Sequence, residues 1–306
     1  FQGIVTGNND AFIPTPNQIA EAKIEPELLH TVLLGRDFEK WAIRNTERKI
    51  IYVTGNTDLT LTPNTEKWLL NFKLQLMERR ECRNGTIPWY SLQWPRVQSE
   101  LDRVPKIMVQ GTRNPRLTTR IVATMDEQCV YGTQGINFIV PLEPSAPIYF
   151  LLAVLNSRLI NYLYATKFLN VAIKAEYLKD TPIPKASKQD EEHLSDLAHR
   201  ILSAKKANPS ADTSKLEAEI DQIVYRLYGL TPEEIAIVEN ATAKALAESG
   251  KKDRKGAAVR VKSAGTDGKA SGGKASKSAT AAASPPEKPA PSRRGRPPRQ
   301  EPGIEI

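Results

Sequence analysis

The chain changes character near Ser249, and that change fixes where a folded core can lie. Beyond this point it consists of Lys, Ala, Ser, Gly and Pro, with almost no aromatic or branched residues until the last few positions. Such a segment buries too little apolar surface to offset the entropy of ordering it, so residues 249–306 are expected to be disordered. The rest of a 306-residue chain that is 40% hydrophobic and 25% charged is long enough for a sizeable core in one or two globular units. The same break divides the charge. From Ala241 to Ile306 there are 15 Lys plus Arg and 6 Asp plus Glu, which leaves 28 basic and 29 acidic residues in 1–240. The net +8 therefore belongs to the tail, and any polyanion affinity of the folded part must come from a local patch.

Residues 1–62 alternate short apolar runs with turn formers. Ile4-Val5, Phe12-Ile13, Val32-Leu33-Leu34 and Ile50-Ile-Tyr-Val53 read as short strands and loops. Pro63 then opens a helical period with Leu69, Phe72 and Leu76 on one face and Lys67, Lys73, Arg79 and Arg80 turned outward, predicting a helix of about four turns. Strand character returns at Lys106–Gln110, Arg120–Ala123 and Ile136–Val140, and 146–165 reads as a helix burying Leu151, Leu152, Leu155, Leu159 and Leu163. From Lys188 the pattern is helical. Leu194, Leu197, Ala198 and Ile201 form one apolar face; after Asn208-Pro209 a second carries Leu216, Ile220, Ile223, Val224, Leu227 and Tyr228. Gly229 is placed to stop that helix, and Thr231-Pro-Glu-Glu234 predicts a capped third one. Cys82 and Cys129 form no Cys-x-x-Cys pair and no His/Cys cluster, so neither a disulfide framework nor a zinc site is expected. The longest apolar stretch, Ala146–Leu155, runs into Asn156, Ser157, Arg158 and Asn161, which are too costly for a membrane span; a soluble, cytoplasmic protein is expected.

A series of short motifs is more specific than any of these patterns. In order they are Gly3-Ile-Val-Thr-Gly-Asn-Asn-Asp-Ala-Phe12, Gly35-Arg-Asp37, Trp89-Tyr-Ser-Leu92, Pro105-Lys-Ile107, Leu152-Ala-Val-Leu-Asn-Ser157, Leu178-Lys-Asp-Thr-Pro-Ile-Pro184 and Tyr225-Arg-Leu-Tyr-Gly-Leu-Thr-Pro-Glu-Glu-Ile235. Together they resemble the TaqI-like C-terminal specificity domain of adenine-N6 DNA methyltransferases and single-chain restriction-modification enzymes. The resemblance covers roughly residues 1–240. It implies a mixed α/β target-recognition domain (1–186), a C-terminal helical hairpin unit (187–248) and the basic tail (249–306), with duplex DNA as partner and Arg36 of Gly-Arg-Asp in the recognition domain.

Catalysis is not expected from this chain. An adenine-N6 methyltransferase needs an Asn/Asp/Ser-Pro-Pro-aromatic tetrapeptide to hold the extruded base, and none occurs: Asn114-Pro115 and Asn208-Pro209 are followed by Arg116 and Ser210. A glycine-rich cofactor turn is missing as well, so S-adenosylmethionine and the catalytic domain are expected upstream of Phe1 in a parent polypeptide. His30, His193 and His199 lack metal-ligand spacing, and Glu39-Lys40 lacks the intervening residue of a metal-dependent nuclease motif.

Candidate DNA contacts lie where basic side chains and flat rings coincide. Arg79, Arg80 and Arg83 precede Trp89, Tyr90, Trp94 and Arg96, while Lys106, Arg113, Arg116 and Arg120 bracket a Gln110-Gly-Thr-Arg-Asn114 turn. Arginine can read guanine bidentately or bind phosphate, and Lys106 is expected to neutralise phosphate. The densest run outside the tail, from Arg96 through Arg103 to Arg120, is the expected groove face. In the tail, Arg294-Gly-Arg296-Pro297 resembles an AT-hook, whose extended core lies in a narrow minor groove. Two other readings are a non-enzymatic specificity subunit, disfavoured because no internal repeat is visible, and an AT-hook architectural protein.

Overall fold

A computed structural model of the chain describes residues 1–241 apart from Asn45, Thr46 and Thr118. The expected disordered tail and its hook-like Arg294 and Arg296 lie outside the described residues. Eight strands are described: β1 (Leu29–Leu33), β2 (Phe38–Glu39), β3 (Ala42–Ile43), β4 (Lys49–Ile51), β5 (Lys106–Gln110), β6 (Ala123–Asp126), β7 (Tyr131–Gly132) and β8 (Ile136–Ile139). The fold is mixed α/β with a helical C-terminal part, as expected.

Strand β5 is the middle of an antiparallel sheet ordered β6-β5-β8, with Met108 opposite Thr124 on one side and Phe138 on the other. All five of its residues are buried. Because strand side chains alternate, Met108 joins Ile136 and Phe138 in one apolar cluster with the N-terminal segments, while Ile107 and Val109 join another with the helices. A sheet covered on both faces explains why Lys106–Gln110 shows no polar-apolar alternation. A second sheet is ordered β4-β1-β7, antiparallel at Leu29↔Ile51 and parallel at Val32↔Tyr131, and β2-β3 forms a small hairpin.

The helical layer is built from Ile148–Asn156, Arg158–Lys167, Lys188–Ala207 and Ser214–Leu227. Leu194, Leu197, Ala198 and Ile201 are buried as the period required, and they pack with Ile220, Val224, Leu152 and Leu155 into the same cluster as Ile107 and Val109. Gly229 has φ +67° and ends the second long helix. A further helix starts at 232, where Thr231 N donates to Glu234 Oε2 at 2.8 Å and Glu234 N to Thr231 Oγ1 at 3.3 Å, the expected reciprocal cap. The Leu-Asn-Ser motif also gains a reason. Asn156 Oδ1 accepts from Ala123 N at 3.2 Å and its amide donates to Ala123 O at 3.1 Å, while Asn161 accepts from Ile121 N at 2.8 Å. Asn156 thus satisfies the first residue of β6 and Asn161 the segment leading into it, and Ser157 caps the helix that follows, accepting from Ile160 N.

Four expectations are corrected. Phe12 closes a short helix, Asn9–Phe12, capped by Asn8, rather than a strand. The four-turn helix is two pieces, Pro63–Leu70 and Lys73–Met77; Leu69 and Leu76 are buried and Phe72, between the pieces, is partly buried. The strand expected at Arg120–Ala123 is displaced to Ala123–Asp126, because Ile121 is held by Asn161 instead of by the ladder. The helix expected over 146–165 bends by 60° at Ser157. Among the described residues no single helix is long and apolar enough to cross a membrane.

One buried acid makes the helical layer sensitive to pH. Asp221 accepts from Arg158 N at 2.8 Å and pairs with the Arg158 guanidinium at 3.2 Å, yet burial pushes its carboxyl up to about 6. An acid whose pKa is raised on folding binds its proton more readily in the native state. Its contribution is therefore fully present below the ordinary carboxyl range, around pH 4, and is lost as pH rises through 6. Between about pH 4 and pH 7 the wild-type chain should lose about 2 kcal/mol relative to Asp221→Asn. Denaturant midpoints of the two proteins at both pH values measure this, and parallel pH curves would contradict it.

Candidate nucleic-acid interface

The cations singled out in the sequence divide into struts and surface groups. Arg79 is only 9% exposed and donates to the carbonyls of Leu76 at 2.9 Å, Ser91 at 2.9 Å, Trp89 at 2.7 Å and Thr6 at 3.3 Å. Burial draws its guanidinium below the ordinary arginine value. It ties three backbone segments together, at residues 6, 76 and 89–91, which corrects both its outward placement and its role as a DNA contact. Lys106 is fully buried, with its ammonium 2.7 Å from the buried Asp126 carboxylate and 2.7 Å from Leu101 O. Arg120 is also fully buried, donating to Arg113 O, Phe168 O and Asn170 O at 2.8, 3.0 and 2.6 Å. Neither can reach a phosphate, so the expected groove face loses Lys106 and Arg120.

Arg96 and Arg113 are half-buried. Arg96 donates to Gly3 O at 2.9 Å and lies over Trp94, which is 50% exposed. Arg113 donates to Thr119 O at 3.1 Å and Gln110 Oε1 at 3.3 Å. Trp89 packs partly against the N-terminal core under Lys73, whose ammonium is 5.2 Å from the ring, and Tyr90 donates to Gly55 O at 3.3 Å. Arg36, Arg80, Arg83 and Arg116 are exposed. Of the expected contacts, Arg79, Lys106 and Arg120 are therefore turned inward.

What the structure does assemble is a ledge that links sequence-distant loops. Arg113 N donates to Val171 O and Ile173 N to Gly111 O, each at 2.9 Å, and Asn137 Nδ2 donates to Ile173 O at 2.7 Å. Arg120 clamps the same two loops from beneath. Arg116 follows the first of these loops by three residues and Lys174 follows the second by one, both exposed, and Lys167 closes the end of the helix leading into the second loop. Sequence reading missed these two lysines. They lie in a stretch without a regular period, and the only signal linking them to Arg116 is a long-range hydrogen-bond set made by an arginine that itself looked like a surface residue.

Set on this geometry, the profile of the TaqI-like C-terminal specificity domain matches residues 31–183, half of the chain. The chain belongs to that family. No curated protein matches it in sequence. Among solved structures, the Type IIL restriction-modification enzyme MmeI, determined in complex with DNA, is similar at a TM-score of 0.59 and 14% identity, over 80% of this chain and 35% of that one. The specificity domain described here thus shares its fold with a segment of a much longer protein and spans about a third of that protein's length. The shared fold takes in segments outside 31–183, since it covers four-fifths of the chain against the half matched by the family profile.

Proposed function

We propose that this chain reads a short duplex DNA sequence for an S-adenosylmethionine-dependent adenine-N6 DNA methyltransferase of a restriction-modification or related phage-defence system, in the cytoplasm. Membership of the TaqI-like C-terminal specificity domain family carries this reading. The solved neighbour adds support, being a restriction-modification enzyme bound to DNA. The residues of this chain do not fit the cofactor. No catalytic tetrapeptide or glycine-rich turn occurs in the sequence, and Gly3, the glycine nearest to one, is closed off: a Cβ there would sit 2.3 Å from Thr133 O. Methyl transfer belongs, in this proposal, to a catalytic domain elsewhere in the parent enzyme. This domain grips the duplex and presents the chosen adenine.

Selection of duplexes from a randomised library by the full chain tests the reading directly. A chain ending at residue 249 should bind more weakly and with a flatter dependence on salt, because it lacks most of the 15 cations found from Ala241 onward and releases fewer counterions. Its sequence preference should persist. If the shortened chain stays folded but chooses no sequence, the Arg294–Arg296 hook carries the specificity and the proposal fails.

A further inference from the structure

Three loops meet backbone to backbone at one oxygen, the carbonyl of Gly135. Gly111 N donates to it at 2.7 Å. A Cβ on Gly111 would lie 3.1 Å from the same oxygen and a Cβ on Gly35 would lie 2.9 Å from it, so this convergence requires glycine at 35 and a near-glycine fit at 111. The three loops come from 34–37, 110–113 and 133–136, far apart in sequence. Beside each glycine stands one exposed polar residue: Arg36, Thr112 and Gln134. None of their side chains has a hydrogen-bond or ion-pair partner among the described residues.

The loop carrying Arg36 is held from behind. Leu34 N donates to Asp37 Oδ2 at 2.8 Å, Asp37 N to Leu34 O at 2.9 Å, and Asp37 also pairs with Arg48. The Gly-Arg-Asp sequence therefore has a division of labour: the glycine allows the close approach, the aspartate closes the turn, and the arginine projects unpaired. The loop at Gln134 is tied down by Ile136 N donating to Thr133 O at 2.9 Å and by Gln2 Nε2 donating to Gln134 O at 2.8 Å. The loop at Thr112 is the one joined to Ala172 on the ledge.

Rigid backbone with unpaired polar tips is what base readout needs, since a hydrogen bond to a base edge discriminates only if the donor cannot drift to a neighbouring acceptor. The residue types suit the task as well. An arginine fork matches the O6 and N7 of guanine, a glutamine amide matches the N6 and N7 of adenine, and a threonine offers a hydroxyl and a methyl group. Exposed Arg116 and Lys174, four residues after Thr112 and two after its bridge partner Ala172, are cations suited to flanking phosphates.

Resting on the DNA-recognition reading above, we propose that Arg36, Thr112 and Gln134 are the base-reading side chains of this domain, held in register by the Gly35, Gly111 and Gly135 contact. Full-length chains carrying Arg36→Ala, Thr112→Val or Gln134→Ala, compared with wild type, are selected against a randomised duplex library and titrated with the preferred duplex and a scrambled one. All three sites are exposed, so thermal midpoints should not move. Arg36→Ala and Gln134→Ala should each lose about 5- to 150-fold in affinity for the preferred duplex, relax the preference at one position, and bind the scrambled duplex within twofold of wild type. Thr112→Val should relax one position with a smaller loss. If the wild type selects a sequence and all three variants select it unchanged, or weaken both duplexes alike, the readout assignment is overturned while the DNA-recognition reading stands. If the wild type selects no sequence, that reading falls and the assignment with it.

Discussion

Replacing Lys106 by alanine is expected to cost about 3–5 kcal/mol of stability, the range for removing one partner of a buried ion pair. Lys106 and Asp126 face each other across the β5-β6 ladder, and both side chains are fully buried with 2.7 Å between the ammonium and the carboxylate. The ammonium also satisfies the carbonyls of Leu101 at 2.7 Å and Arg103 at 3.2 Å, while Asp126 accepts from Gln128 N at 2.8 Å and Val130 N at 2.9 Å. Alanine removes the cation and leaves a buried carboxylate and two carbonyls unmatched. Asp126→Asn should be costly for the converse reason. The double change Lys106→Ala with Asp126→Asn should cost clearly less than the sum of the single changes, because no isolated charge remains. Denaturant unfolding with an unchanged m-value measures all three. A loss below about 1 kcal/mol for Lys106→Ala, together with uniformly weaker DNA binding, would return Lys106 to the surface role expected from sequence.

That earlier expectation shows where sequence reading stops. Periodicity located the apolar faces of Lys188–Ala207 and Ser214–Leu227, and cap chemistry located Gly229 and Thr231, because each of those signals is local and each is enforced within a turn or two. Strand Lys106–Gln110 was legible too, since Ile-Met-Val has little other use. The fate of a cation was not. Arg79, Lys106 and Arg120 look in sequence like Arg80, Arg83 and Arg116, and only long-range partners separate the two sets: the carbonyls of residues 6, 89 and 91 for Arg79, and those of 113, 168 and 170 for Arg120. A charged residue next to a run of apolar ones, as at Lys106, is the sole local hint that it is a strut. The convergence of Gly35, Gly111 and Gly135 is invisible for the same reason, since each glycine reads alone as an ordinary turn.

Arg120 is where stability and recognition should fail together. Its guanidinium holds three carbonyls from two loops, Arg113 O on one and Phe168 O and Asn170 O on the other, with no exposure to solvent. Hydrogen bonds to a charged group are each worth about 1.5–3 kcal/mol, and orphaned buried carbonyls add to the loss when the donor is removed. Arg120→Met should therefore cost about 3–5 kcal/mol after the energy of bringing a cation into the interior is set against those bonds. Arg120→Lys should recover only part, because a single ammonium cannot span carbonyls that a planar fork reaches at once. The loops it clamps also carry the ledge, so the loss should be local before it is global. Amide exchange reads this at Arg113 N, which donates to Val171 O, and at Ile173 N, which donates to Gly111 O. Both amides should exchange faster in Arg120→Lys while amides of β5 keep their protection, and affinity for DNA should fall for every duplex as Arg116 and Lys174 lose their fixed spacing. If exchange at these two amides is unchanged in a variant that has lost stability, Arg120 supports the core at large rather than the ledge. The proposed coupling between this buried arginine and DNA affinity would then be absent.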